Sequence, residues 1–217
     1  MAKIQTDQKN WKLVGGRLCL DFINTVGGRV SPAAVLRDKL ADYNELLEWS
    51  QAAGIAKPAE SRNLARRAAS HRRDAQTTLA RAVLLREALY RIFTAAAEGR
   101  RPREADLGTL SRELRIARAR ERLTHTGGAF EWAWEDGEPA LDRILWPVSL
   151  SAAEVLTSGD LSRLRQCEGH ECGWMFLDTS RNRSRHWCDM KDCGNRAKVR
   201  RFRKRQQRSH KRSSDTK

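Results

Sequence analysis

The chain is predicted to be an α+β protein: a mainly helical N-terminal domain with short strands and a β-hairpin, followed by a small four-cysteine module. Three observations carry this. Apolar residues recur at helical spacing over much of 37–121, and the period switches to alternation over 123–134. Four of the five cysteines then fall between Cys167 and Cys193. A length of 217 residues is enough to bury one good core and carry a second, small module.

Taken in order, residues 11–26 (WKLVGGRLCLDFINTV) mix β-branched and aromatic residues around a Gly-Gly pair and read as one or two short strands. Cys19 lies in this run and is expected to be a small core residue. From about Arg37 to Ala53, Leu40, Tyr43 and Leu47 share one helical face, and Gly54 stops the helix. A longer helical region covers about Ala59 to Ala97. Its second half carries an inward stripe of Leu79, Val83, Leu85, Leu89, Ile92, Phe93 and Ala96. Its first half, Arg62 to Arg73, is basic and Ala-rich and reads as a solvated face. Another helix, Asp106 to Glu121, places Leu107, Leu110, Leu114 and Ala117 on one side. Leu123 to Trp134 alternates around Gly127-Gly128 as a hairpin does. Ser151-Ala-Ala-Glu154 has the pattern of a capping box opening a short helix, and Ser158-Gly159 breaks it and marks a hinge.

The cysteine spacing is C-x4-C-x15-C-x4-C at Cys167, Cys172, Cys188 and Cys193. Two close pairs of thiolates joined by a longer loop suit a tetrahedral Zn2+ ion, each pair closing a knuckle over one edge of the metal. Four thiolates leave no open coordination position, so the site is structural rather than catalytic. His170 and His186 lie near enough to substitute, but four cysteines make that unnecessary. Between the pairs, Gly173 to Asp178 reads as an apolar strand, Thr179 to Ser184 as a turn and Arg185 to Cys188 as a second strand. From Asn195 to about Gln207 no helix breaker occurs. Knuckle, hairpin, knuckle, helix is a treble-clef-like order, with Trp174, Phe176 and Trp187 as a tiny core whose stability depends on the metal.

Charge is concentrated in the same place. The net charge is +15, and from Leu161 onward there are 17 basic against 6 acidic residues. Such a surface suits polyanions better than it suits general solubility. The candidate nucleic-acid contacts are Arg181, Arg183 and Arg185 in the turn and Asn195, Arg196, Lys198, Arg200, Arg201, Arg203 and Arg205 in the helix, with Lys204 beside them. Together they could neutralise roughly 5–8 phosphates. In a major groove, arginines could read guanine and Asn195 could read adenine. Arg196, just past the last cysteine, suits either bracing or a backbone contact. Ala197, Val199 and Phe202 remain for packing.

The run Cys188-Asp-Met-Lys-Asp-Cys193-Gly194-Asn195-Arg196, preceded by Cys167-x4-Cys172-Gly-Trp and by Phe176-Leu-Asp-Thr-Ser-Arg-Asn, resembles the CGNR zinc finger family over about 161–205. Upstream, Gly16-Arg-Leu-Cys-Leu-Asp21-Phe-Ile-Asn24-Thr25, with Trp146-Pro-Val and Ser151-Ala-Ala-Glu, resembles the ABATE domain that usually precedes this finger. The resemblance implies a bacterial, stress-induced transcription regulator whose finger binds DNA, with the four cysteines as the zinc ligands. It implies three segments: an ABATE-like domain at 1–158 for sensing or dimerisation, the finger at 161–205, and a disordered basic tail at 206–217.

Asp21, Asn24 and Thr25 cluster at the end of a predicted strand. They read as a turn in which Asp and Asn bond their own backbone, or as a ligand site. The glycine pairs at 15–16 and 27–28 lack the Gly-Lys-Ser/Thr ending of a phosphate loop, and no nucleophile elbow or His–carboxylate pair is visible, so no enzyme is expected. No apolar run reaches the ~18 residues of a membrane span, and the polar N-terminus lacks a secretory signal. The expected setting is the cytoplasm, on the nucleoid when bound. The expected partner is nucleic acid, duplex DNA first; a small-molecule effector and a homodimer are options. RNA binding, or an enzyme anchored by the finger, are the alternatives.

Overall fold

The computed structural model describes residues 11–29, 37–135 and 140–214, with side chains to 207; residues 1–10 of the polar N-terminus and 215–217 of the expected tail lie outside that range. The order is α1 (Leu18–Ile23), β1 (Val26–Gly27), β2 (Arg37–Asp38), α2 (Tyr43–Ala52), α3 (Pro58–Ser70), α4 (Arg72–Ala97), α5 (Glu104–Arg118), β3 (Glu121–Thr126), β4 (Ala129–Trp134), α6 (Leu145–Thr157), β5 (Leu164–Gln166), β6 (Met175–Leu177) and α7 (Asn195–Ser214). Among the described residues the strands form three antiparallel pairs, β1–β2, β3–β4 and β5–β6. This is the expected α+β class.

Local chemistry explains most of the boundaries. Asp42 caps α2 by accepting from the Glu45 amide, and Gly54 takes the left-handed conformation (φ +73°) just past its end. Pro58 sits in the first turn of α3, where no amide is required. The long helical region is two helices, broken at His71 (φ −123°, ψ 59°). Gly127 and Gly128, both at positive φ, turn the β3–β4 hairpin in the expected register, with Leu123 opposite Trp132 and His125 opposite Phe130.

Four expectations need correction. Arg37–Asp38 is strand β2, not helix, and α2 begins only at Tyr43, behind its Asp42 cap. The run around Cys19 is helix α1, not strand. Cys19, Leu20, Phe22 and Ile23 are all buried, and a helix enclosed on most sides shows neither period clearly. Ser151-Ala-Ala-Glu154 does not open a helix. It lies inside α6, where the Ser151 hydroxyl accepts from the Cys19 amide across the core. Arg185 to Cys188 is not a strand: β6 pairs with β5 instead, and the 185–188 segment returns to Glu168 through a single backbone bond from its amide to the His186 carbonyl.

The helices pack around one core, with α1 against α4 and α6 and α5 against the same two helices. Leu164, Met175 and Leu177 of β5–β6 belong to that core, whereas Phe176 points the other way, to the cysteines. Alternation along a strand thus places β6 between two cores. Burial raises the Cys19 thiol to about 12, which suits a packing residue.

Candidate metal centre and basic helix

Four sulfurs converge where the C-terminal segment folds back on itself. Cys167 follows β5, Cys172 closes the first knuckle, Cys188 ends the returning segment, and Cys193 lies in the tight turn Met190–Gly194 that runs into α7. All four are buried, and their Sγ atoms lie within 4.8 Å of one another, at 3.5 Å for Cys172–Cys188 and 3.6 Å for Cys188–Cys193. A tetrahedral zinc with Zn–S of about 2.3 Å needs sulfurs roughly 3.8 Å apart, so the spacing fits.

The surroundings fit as well. The amides of Gly169 and Cys188 donate to Cys167 Sγ at 3.4 and 3.3 Å, and Arg196 Nη2 donates to Cys193 Sγ at 3.2 Å. Donors aimed at sulfur favour thiolates. A Cβ on Gly169 would lie 3.1 to 3.3 Å from Cys193 Sγ, Cys172 Cβ and Cys167 Sγ, so the knuckle needs glycine there. Hydrogen bonds from the neighbouring thiols hold Cys167 well down, and the same contacts push Cys172 and Cys188 up. A dication supplies the charge that lets the whole set ionise. His186 faces Glu168 at 2.7 Å and His170 faces Glu171 at 3.7 Å, both outside the sulfur cluster. The four cysteines form the Zn2+ site, closed and structural.

The turn between β6 and Cys188 is organised by Asp178, which is buried at the end of β6. Its carboxylate accepts from the Ser180 hydroxyl and amide and from the Arg185 amide, and these bonds hold it below the usual carboxylate range. Arg181 and Arg183 project from this turn into solvent, whereas Arg185 turns inward. Its Nε donates to the Trp187 carbonyl, its Nη2 to those of Val14 and Cys188, and its guanidinium lies 4.1 Å from the Phe176 ring centre. Arg185 is therefore a brace.

Helix α7 leaves the metal centre with its basic side chains from Arg196 to Arg205 exposed. It runs past Gln207 to Ser214 and spans roughly 30 Å. Arg196 meets Cys193 Sγ and Asp192, and Arg201 lies over Trp187 at 5.9 Å. Lys198, Arg200, Arg203, Lys204 and Arg205 have no acidic partner among the described residues. Of the three residues expected to pack, only Ala197 is half-buried; Val199 and Phe202 are 50% and 61% exposed.

Asp21, Asn24 and Thr25 come together at the end of α1, and each is engaged inside the protein. Asn24 binds the β6 backbone from both ends of its amide, Nδ2 donating to the Met175 carbonyl (2.8 Å) and Oδ1 accepting from the Met175 amide (2.9 Å). Thr25 donates to the Phe22 carbonyl and accepts from Arg86. Asp21 accepts from the Gly15 amide, while burial raises its carboxyl to about 6. Sequence reasoning missed Asn24 as a clamp because its partner is 151 residues away. It also missed Arg86, which holds Asp38 through two nitrogens and binds Thr25. Other stitches join the same regions: Trp174 Nε1 to the Val26 carbonyl, the Gly28 amide to the Cys172 carbonyl, and Lys12 to Asp192.

A family model named ABATE, described as "putative stress-induced transcription regulator", matches residues 16–159, and the CGNR zinc finger model matches residues 163–206. A search of curated proteins found no match. No helix among the described residues is long and apolar enough to cross a membrane.

Proposed function

The chain belongs to the ABATE family and ends in a CGNR zinc finger, and from that premise we propose that it is a transcription regulator that binds duplex DNA through α7 and the turn arginines. The observation carrying this reading is the row Lys198, Arg200, Arg203, Lys204 and Arg205, without acidic partners among the described residues and fixed at one end to a metal centre. Cations left unpaired on a rigid helix are poised to replace the counterions of a phosphate backbone. Arg181 and Arg183 widen the same surface.

The N-terminal domain would mediate assembly or sense an effector. The outer face of β3–β4 supports assembly, with Leu123, Phe130 and Trp132 exposed by 58%, 73% and 67%. A cavity of about 240 Å³ between the N-terminal segment and the finger, lined by Lys12, Lys39, Trp174 and Arg196 and by the metal ligands Cys172, Cys188 and Cys193, would couple any sensing to the metal centre. Neither family description is that of an enzyme.

The test is selection from a random duplex library with zinc-loaded full-length protein, with a Cys188→Ser/Cys193→Ser variant as control. A motif recovered by the native protein and lost in the variant is expected. Equal or better binding to folded RNA would overturn the duplex-DNA reading, because A-form major grooves resist side-chain readout.

A further inference from the structure

The two faces of α7 differ in a way that phosphate neutralisation does not explain. Arg196, Arg200 and Lys204 recur every fourth residue and, with Ala197 and Arg201, line a cleft of about 340 Å³ between the helix and the knuckle. The opposite face carries Asn195, Val199, Phe202 and Gln206, spaced by four, three and four residues and so forming one stripe. Lys198 and Arg205 flank this stripe on one side and Arg203 on the other. Ten of the twenty residues of α7 are Lys or Arg and none is acidic, yet its two large apolar side chains point away from the protein.

We infer that this stripe is the base-reading edge of α7 and that it selects A·T-rich duplex DNA by touching thymine methyl groups. The inference rests on the DNA-binding reading above. An occupant must be apolar along its centre and anionic along both rims to match an apolar stripe between rows of cations. A major groove carrying thymine 5-methyl groups between two phosphate strands has that character. Val199 and Phe202 meet the methyls. Asn195 and Gln206, at the two ends of the stripe, carry the amides that pair with adenine N6 and N7. One Asn195 amide hydrogen is used on the Lys191 carbonyl (3.1 Å), which steadies the side chain and leaves the other for a base. Of the other arginines of α7, Arg196 is turned to the Cys193 sulfur and Arg201 over Trp187, and Arg203 and Arg205 stand on the rims of the stripe, toward phosphate.

The experiment measures binding by fluorescence anisotropy of the zinc-loaded full chain to three short duplexes. One has an A·T core, one is the same duplex with deoxyuridine replacing thymine, and one has a G·C core. Deoxyuridine deletes only the methyl. The native protein should weaken about fourfold for each methyl it contacts. A Val199→Ser/Phe202→Ser variant should bind the thymine and deoxyuridine duplexes equally. Both positions are exposed, so this variant should keep its zinc content and melting temperature. Salt-dependent binding that ignores the methyl would overturn the inference and leave the DNA reading standing. No binding to any duplex, even at low salt, would overturn both. A drop in sedimenting mass for the variant would reassign the stripe to a protein contact and also overturn the inference.

Discussion

In the helical body, the arginines at the helix contacts meet carboxylates, while Arg62, Arg66, Arg72, Arg73 and Arg115 stay on its exposed surface. Arg86, with its side chain 2% exposed, grips Asp38 through two nitrogens and reaches Glu87, and Arg81 joins Glu113 to Asp142. Arg91 and Arg103 close on Asp106 from two sides, and the Arg91 guanidinium, followed by that of Arg103, holds this carboxyl at about 2. Along α7, Lys198, Arg200, Arg203, Lys204 and Arg205 have no such partner among the described residues. The overall charge of +15 therefore understates the asymmetry. The body uses these arginines to join its elements through ion-pair clusters, and α7 keeps this row of cations available for something outside the chain.

The harshest challenge to this contrast is to remove the metal. Chelation, or Cys188→Ser with Cys193→Ser, should unfold the segment around 167–194 and lower duplex affinity by more than about a hundredfold. Helical circular dichroism from α2 to α6 should largely survive. Unchanged DNA binding without zinc would mean that the metal does not hold the cations in place.

Next is a matched pair of substitutions. Arg86→Met should cost about 3 kcal/mol in urea denaturation, because it removes the charged bonds to Asp38 and leaves the buried Thr25 hydroxyl without its donor, while Glu87 keeps Arg29. Its affinity for DNA per folded molecule should not change. Lys198→Gln with Arg203→Gln, the cations on the two rims of the stripe, should leave stability within about 0.5 kcal/mol and flatten the log–log salt slope by about 1.8. Equal stability losses in the two variants would erase the distinction.

A smaller effect is expected at the seam. Asn24→Ala removes two bonds to the β6 backbone and should cost about 1–3 kcal/mol, with faster hydrogen exchange at the Met175 amide.

The smallest effect is pH-dependent. The Asp21 carboxyl is raised by burial from 3.8 to about 6, so its ionisation opposes folding. That cost is absent below pH 3.8, grows as pH rises from 3.8 to 6, and is complete above 6. Asp21→Asn should therefore match the native protein in unfolding free energy near pH 4 and exceed it near pH 7.5, by about 1–2 kcal/mol. A gap that narrows with rising pH would contradict the assignment.

What the sequence disclosed follows from how local each signal is. The cysteine spacing, the Gly127-Gly128 hairpin and the inward stripe of α4 are written within a few tens of residues; the first two agree with the structure, and the stripe agrees at Leu85, Leu89, Ile92 and Phe93, while Leu79, Val83 and Ala96 are only half-buried. α1 departs from the expected strand because its apolar residues face a core on nearly every side. The Arg185–Cys188 segment departs from it because metal geometry, not a strand ladder, sets its path. Nothing near Asn24 or Arg86 in sequence announces a partner 151 or 48 residues away. The orientation of α7 was hidden for the same reason. Helical spacing shows that Val199 and Phe202 share a face, but only the position of the knuckle shows that this face looks outward.

The stitching of residues 12–28 onto the finger bears on portability. Lys12, Val14, Asn24, Val26 and Gly28 each bond to residues between 172 and 192. A cassette cut at residue 161 and grafted onto another protein would leave behind the Asn24 amide that spans Met175 and the carbonyl that receives the Trp174 indole. The smallest transplantable unit joins two stretches that lie far apart along the chain. A circularly permuted graft, running from the finger's last helix through a linker long enough to return along the roughly 30 Å of α7 into residues 11–28, would carry the whole unit in one piece.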